Sequence, residues 1–489
     1  MRLMRRNGLV RTKGFAALAA AIAASTLLGC AVNPVTGDRQ LMLISEAQEI
    51  ELGREADQQI AAQMGLYDDP ELAQYVSTVG RKLAAASERP QLPWTFRVLD
   101  DPVVNAFALP GGFVYVTRGI VAHLSSEAEL AAVLGHEIGH VTARHGASRL
   151  SKAQLAGLGL GVGAVVSPEF ARYAGLAESG LGLLFLKYSR DDERQADDLG
   201  LRYSISGGYD ARQMPEVFAV LKRVSEGAGG GGIPGWLSTH PDPDARGERI
   251  RETLASSDVD FSRATVNRVG YVRHLDGMVF GEDPRQGFFR EALFLHPELA
   301  FQVRFPAGWN VRNQRASVDA ISSKNDAAAQ LTLTPEGDPA AALQAFVAAE
   351  VITAGRAQRG QISGLSAVGA DFEVAVEPAL RGRVAFVRYG QNTYRLLAYS
   401  LSSEWSSYAG EAARFIESFG ALTDRKVLAV QPARVDMVDL TKNLPLETFQ
   451  RQYPSSVDLQ TLALINHVGA DGLLPGGQAA KRVVGGVEP

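Results

Sequence analysis

The sequence predicts an α+β fold in three parts: a mainly helical N-terminal domain with a small β-sheet, an α+β domain, and a small C-terminal module. Three observations carry this. The Ala/Leu-rich run over 128–144 has helix-forming composition throughout. Beyond about residue 265 the pattern changes to period-two alternation, as in Phe301-Gln302-Val303-Arg304-Phe305 and over 383–389 and 394–400, with helical runs over 340–351 and 408–419 between. The stretch 427–484 then stands apart as a third unit, and no internal repeat is present, in particular no helical array. The expected division is a leader over 1–29, a first domain over 30–265, the α+β domain over 285–425 and the module over 427–489.

Each element has a local reason. Residues 33–37 read as a short tether with turn chemistry. Ser45 caps a helix through Glu46, Ile50 and Ala56, with Gln48 three residues on as in a capping box. A second helix is expected over 71–86, and 94–99 alternates as a strand. Residues 105–116 read as two strand pieces around Pro110-Gly111-Gly112. The apolar stretches 155–166 and 176–186 are too short for membrane spans and are expected as packed or lid helices. Residues 227–232 form a glycine-rich loop ahead of Trp236-Leu237-Ser238-Thr239-His240-Pro241 and are expected to gate what lies there.

The N-terminus reads as a processing signal. Arg2, Arg5, Arg6, Arg11 and Lys13 precede an apolar stretch over 15–28. It ends in Leu27-Leu28-Gly29-Cys30, which resembles a bacterial lipobox, and Cys30 is the single cysteine of the chain. The resemblance implies cleavage before Cys30 and lipidation of its sulfur; Ala31, rather than Asp, implies export to the outer membrane facing the periplasm. No intrachain disulfide can form. The formal net charge of −5 becomes −10 once the five cationic leader residues are set aside, which argues against a nucleic-acid partner.

The chemistry concentrates in His136-Glu137-Ile138-Gly139-His140. On a helix, residues four apart share a face, so both imidazoles can reach one zinc ion. Glu137 projects beside them, where a general base for a zinc-bound water stands. Three protein ligands are expected at a catalytic zinc. His145 lies nearest but points off the shared face. The acidic helix start Ser189-Arg190-Asp191-Asp192-Glu193-Arg194-Gln195-Ala196-Asp197 is the better source. Glu193 and Asp197 are four apart, so one can bind zinc while the other accepts a hydrogen bond from a ligand imidazole. Asn105, Ala106, Phe107 and Ala108 are expected as an edge strand to which a substrate peptide adds.

A helical H-E-x-x-H, a later E-x-x-x-D helix and a downstream His-Pro with Arg resemble the zinc endopeptidase family of the CaaX prenyl protease and HtpX. Within it the periplasmic lipoprotein branch, BepA-, LoiP- and YcaL-like, is the most similar over about 31–265. The resemblance implies a gluzincin-type protease domain. It implies zinc on His136, His140 and Glu193, with Glu137 as base and Asp197 behind the ligands. His240 and Arg246 match the family's distal His and Arg, which implies that they polarise the scissile carbonyl and steady the oxyanion. In BepA-like members such a His can instead cap the zinc and hold the enzyme latent. The helical repeat domain of the BepA type is missing. Residues 290–420 loosely resemble a PsbP-like domain, and 427–485 faintly resemble a LysM peptidoglycan-binding module without its usual Gly-Asp-Thr start.

The expected function is therefore a zinc endopeptidase of the cell envelope, one zinc per subunit, acting on unfolded or misassembled envelope proteins. The alternatives are a latent protease serving as an assembly scaffold, or a peptidoglycan-associated binding protein.

Overall fold

The computed structural model describes residues 30–157, 188–227, 235–348 and 351–486. The leader, the two apolar stretches apart from 155–157, and 228–232 of the glycine-rich loop lie outside them. The fold is α+β, as expected. Its first part runs β1 (Cys30–Val32), β2 (Arg39–Leu41), α1 (Glu46–Met64), α2 (Pro70–Ala84), β3 (Thr95–Leu99), β4 (Ala106–Leu109), β5 (Phe113–Thr117), α3 (Arg118–His123), α4 (Glu127–Thr142), α5 (His145–Gly157), α6 (Arg190–Ser206), α7 (Met214–Gly227), α8 (Trp236–Thr239) and α9 (Pro243–Ala255).

Helix α4 is the axis of this part. Every residue from Ala128 to Thr142 is buried, which is why its sequence is apolar on all sides rather than on one stripe. Ser126 caps it by accepting from the Glu129 amide. Helix α1 begins at Ser45 with the expected capping box to Gln48. Strand order is β3-β5-β4, with β3 parallel and β4 antiparallel to β5, so β4 is an outer strand. The turn into β5 needs glycine: Gly111 and Gly112 have φ of 86° and 102°, and a Cβ on Gly111 would lie 2.6 Å from the Ile50 Cα.

The expected tether over 33–37 is not slack. Strands β1 and β2 pair as a ribbon. Asn33 is buried, and its side-chain amide donates to the Ala143 carbonyl at 3.4 Å, at the end of α4. Arg144 donates to the Ile44 carbonyl at 2.9 Å. The turn chemistry of Asn33 is real: its Oδ1 accepts from the Val35 amide at 2.8 Å.

Between Asn310 and Leu401 an eight-stranded antiparallel sheet forms, with helices Pro339–Val347 and Trp405–Glu417 packed on it. Its main core includes Phe294, Phe305, Leu396 and Phe415.

The C-terminal stretch runs strand, strand, helix, helix, strand, strand, with the short pair Leu444–Pro445 and Leu473–Leu474 inside the long one. Strands Ala433–Leu440 and Gln478–Gly485 pair antiparallel around helices Leu446–Gln452 and Leu459–Ile465. It has a core of its own, with Leu446, Phe449, Leu462 and Val483. It also closes back onto the first part. Val435 sits in the core around α4, and its main chain pairs with Gly277 and Met278. The buried Lys481 ammonium donates to the Ala122 and Leu124 carbonyls at 3.0 and 2.6 Å. His467 Nε2 donates to the His123 carbonyl at 2.7 Å.

This seam is sensitive to acid. Burial, reinforced by nearby Lys481, lowers the His467 pKa to about 3 and that of His123 to about 4. Both imidazoles are therefore neutral in the fold. Between these values and the ordinary 6.5, these two positions bind protons in the unfolded chain and not in the native one, so their contribution to stability falls as pH drops below about 6.5. Thermal unfolding at pH 5 is expected several degrees below that at pH 7.5, with His467→Gln reducing the difference; a melting temperature equal at both pH values would contradict this.

Candidate metal centre

Two close-packed helices build the site. Gly135 and Gly139 on α4 face Gly200 and Ala196 on α6. A Cβ at Gly200 would lie 2.8 Å from the His136 nitrogen, and one at Gly139 would lie 3.0 Å from the Ala196 carbonyl oxygen. Only glycine permits this approach, and it brings the acidic start of α6 against the histidines of α4. Ser189 caps α6 with Asp192 in a capping box, which fixes the first turn carrying Glu193.

His136, His140, Glu193 and His240 are all buried, and one ligand atom from each lies within 4.8 Å of the others. The two Nε2 atoms of His136 and His140 stand 3.1 Å apart. Glu193 carboxylate oxygens lie 3.6 Å from each of them. His240 Nδ1 is 3.0 Å from Glu193 Oε1 and 3.3 Å from His136 Nε2. His145 is not part of this group. Arg144, with φ 60°, breaks the helix after α4, and His145 begins α5.

The surrounding residues orient the imidazoles. His136 Nδ1 lies 3.0 Å from Asp197 Oδ1, which places its proton on Nδ1 and turns the Nε2 lone pair to the centre. On His140 the same work is done through two residues. His145 Nε2 meets Gln195 Oε1 at 2.8 Å, and His140 Nδ1 meets His145 Nδ1 at 2.9 Å. Gln195 can only accept there, so His145 donates from Nε2, accepts at Nδ1, and leaves His140 Nε2 free to bind. Burial first, then the neighbouring His136, His145, His240 and Arg246, hold the His140 pKa well below the usual range. A neutral imidazole is the metal-binding form. Burial pushes the Glu193 carboxyl up, but His240, His136 and Arg246 outweigh it and keep the pKa low.

Arg246 grips the acidic pair from behind. Its Nε and Nη2 form a fork on Asp197 at 2.9 and 2.6 Å, and Nη1 lies 2.8 Å from Glu193 Oε2. Its guanidinium is sandwiched over Phe218 and Trp236 at 4.6 and 4.7 Å. Tyr188 stacks on His140 at 3.8 Å and Trp236 on His240 at 4.6 Å. Strand β4 packs on α4, with Asn105, Ala106 and Phe107 buried and Ala108 half-buried. The structure thus brings together Glu137, His136, His140, Glu193, Asp197, His240 and Arg246, with β4 alongside; Cys30 lies apart, in the N-terminal ribbon.

Sequence reasoning missed Gln195, Tyr188 and Trp236. In the sequence His145 reads only as a candidate ligand, and its spacing from His140 carries no sign of an orienting role.

The residues fit zinc by their own chemistry. Two imidazoles and a carboxylate form the nitrogen and oxygen set that zinc takes. Both Glu137 carboxylate oxygens are buried without a hydrogen-bond partner, as is His240 Nε2. Buried polar atoms without a hydrogen bond are costly, and a bound ion with its water would offer them partners.

Residues 70–254 match the family model described as peptidase family M48. This chain carries a peptidase family M48 domain. The matched stretch starts at α2, ends in α9 and contains every donor above. Among relatives, the mitochondrial metalloendopeptidase OMA1 of Arabidopsis thaliana is 36% identical over 179 residues, 36% of this chain and 34% of its own. The beta-barrel assembly-enhancing protease of Yersinia pestis is 32% identical over 212 residues, 42% of this chain and 43% of its own. That of Escherichia coli (strain K12) is 28% identical over 246 residues, 46% and 49%. The chain thus spans less than half the length of these curated relatives. A solution structure of cyanobacterial PsbP from Synechocystis overlaps 27% of this chain with a TM-score of 0.23 at 9% identity, too little to carry a fold assignment.

Proposed function

We propose that this chain is a zinc-dependent endopeptidase of the bacterial cell envelope, held in a closed state by His240. The carrying observation is Glu137: a buried carboxylate with neither oxygen hydrogen-bonded, its Oε1 3.7 Å from His240 Nε2, beside a His-His-Glu set able to hold one ion. When bound there, zinc supplies Lewis-acid polarisation of a peptide carbonyl and acidifies water. Glu137 takes the proton of the attacking water at one carboxylate oxygen and delivers it to the leaving amine. The segment Asn105 to Ala108, which leads into and forms most of β4, aligns the substrate main chain by adding it as a further strand. Arg246 is engaged by Asp197 and Glu193, so its work is to hold those carboxylates in place; the oxyanion is left to other donors.

Cys30 carries the lipid anchor in this reading, at the outer membrane facing the periplasm. Unfolded or misassembled envelope proteins are the substrates; the relatives named beta-barrel assembly-enhancing protease support an envelope role. The antiparallel strand pair that encloses two helices in the last unit supports the LysM-like reading and an association with peptidoglycan.

His240 decides whether the site is open. A catalytic zinc keeps one position free, whereas four protein donors close it. His240 is seated among the other three. Its charged hydrogen bond to Glu193 is worth about 1.5–3 kcal/mol, or roughly tenfold to a hundredfold in the open population. Casein hydrolysis by the zinc-loaded chain is expected to be chelator-sensitive and to rise by roughly tenfold or more in His240→Ala. Hydrolysis that survives chelation would reject the metalloprotease reading. A fall in His240→Ala would reject latency and make His240 a catalytic donor.

A further inference from the structure

The ribbon that follows Cys30 gives the metal centre almost no reach. Cys30–Val32 pairs with Arg39–Leu41, and the next residue, Asn33, is already buried and bonded to the Ala143 carbonyl. Gln40 donates to the same carbonyl at 3.5 Å. The Leu43 amide donates to Ser151 of α5 at 3.0 Å. Residues 33–44 are therefore strapped across the end of α4 and onto the middle of α5. Three extended residues from Asn33 back to Cys30 span at most about 10 Å. Ala143 is three residues beyond His140, about 4.5 Å along the helix. The donors thus lie within roughly 20 Å of Cys30 once side chains are included.

The exposed side chains of this ribbon and its neighbours suit a bilayer. Val32 and Leu43 are 56% and 41% exposed. Arg39, the register partner of Val32, and Lys152 on α5 are exposed cations, with Asp38 the exposed acid of the ribbon turn. Apolar and cationic side chains beside an acyl anchor are what an anionic lipid surface binds.

We propose that the β1–β2 strap holds the active site against the membrane surface, so that the substrates are unfolded segments within about 20 Å of the bilayer. This rests on the anchoring of Cys30 proposed above. The strap acts as a measuring device: parts of envelope proteins that project farther out are spared.

The test uses the purified, acylated full chain in phosphatidylethanolamine–phosphatidylglycerol vesicles. Two lipid-anchored reporters carry one unstructured segment, either next to the bilayer or beyond a polyproline spacer of about 15 residues, roughly 45 Å. The near reporter is expected to be cut at least about tenfold faster, because a tether too short to span the gap gives almost no effective concentration. Inserting about 40 Gly/Ser residues after Cys30, roughly 35 Å of root-mean-square reach, is expected to raise cleavage of the far reporter towards the near rate. Equal hydrolysis of a soluble peptide by both enzymes shows that the insertion has not damaged the site. Acylated enzyme that cuts both reporters equally would overturn the proposal alone. An unmodified Cys30, read from the mass of the N-terminal peptide, would overturn the anchoring and this proposal with it.

Discussion

Replacing Glu137 by Gln is expected to abolish peptide hydrolysis while zinc stays bound. Gln matches Glu in size but has no basic oxygen, so the proton of the attacking water has no acceptor. General-base catalysis of this kind contributes about 10²–10⁴ in rate, and the loss should fall in kcat. The donors His136, His140 and Glu193 are untouched, so metal content should remain at one ion per chain. A second consequence separates this variant from a damaged one. Both Glu137 oxygens are buried without a hydrogen bond in the protein, a burden that serves chemistry rather than folding. Removing the charge is expected to leave the melting temperature of the metal-free chain unchanged or higher, since active sites trade stability for function. Full activity in a zinc-loaded Glu137→Gln protein would sink the mechanism; a fall in melting temperature with loss of zinc would mean that Glu137 supports the fold instead.

The parts of this centre that were legible beforehand share one property: they lie close together along a helix. His136, Glu137 and His140 fall within five residues of α4, and Glu193 and Asp197 within one turn of α6. Four-residue spacing converts directly into a shared face, so the donor set could be named without knowing how α4 meets α6. The capping boxes and strand alternation were local in the same way. What could not be read was built from contacts between distant segments. Gln195 reaches His140 only through His145, across the helix break at Arg144. The ribbon at Asn33 meets Ala143 over 110 positions, and Lys481 meets Ala122 over 359. No periodicity encodes such pairs. Residues 33–37 thus read as a short tether with turn chemistry, and the turn is there, but the contact of Asn33 with the end of α4 was not legible. The stretch after 427 read as a separate module although Val435 belongs to the core around α4. Gly135, Gly139 and Gly200 were the available clue to the α4–α6 contact, because three glycines inside otherwise good helices need a packing reason.

Asp197 tests the link between the two helices. Its carboxylate is fully buried, accepts the Arg246 fork and faces His136 Nδ1. Burial alone would raise its pKa, but the hydrogen bonds from Arg246 and His136 overcome that and hold it well below the carboxylate range. It is therefore an anion that orients one metal ligand and neutralises one buried cation. Asp197→Asn keeps the volume and removes the charge. Arg246 is then left buried with Glu193 as its remaining counter-charge, and breaking a buried ion pair costs about 3–5 kcal/mol. Loss of the anion behind His136 is expected to weaken zinc binding by about 10–100-fold, the usual effect of removing such a partner. The two effects can be told apart from the loss of Glu137. In Asp197→Asn, hydrolysis should recover as zinc is titrated upward, because the base is intact and only occupancy is reduced. In Glu137→Gln, no zinc concentration should restore it. Wild-type zinc affinity in Asp197→Asn, measured by competition with a chelator, would separate Asp197 from the metal site. It would also leave the Gly135–Gly200 contact as packing without a role in catalysis.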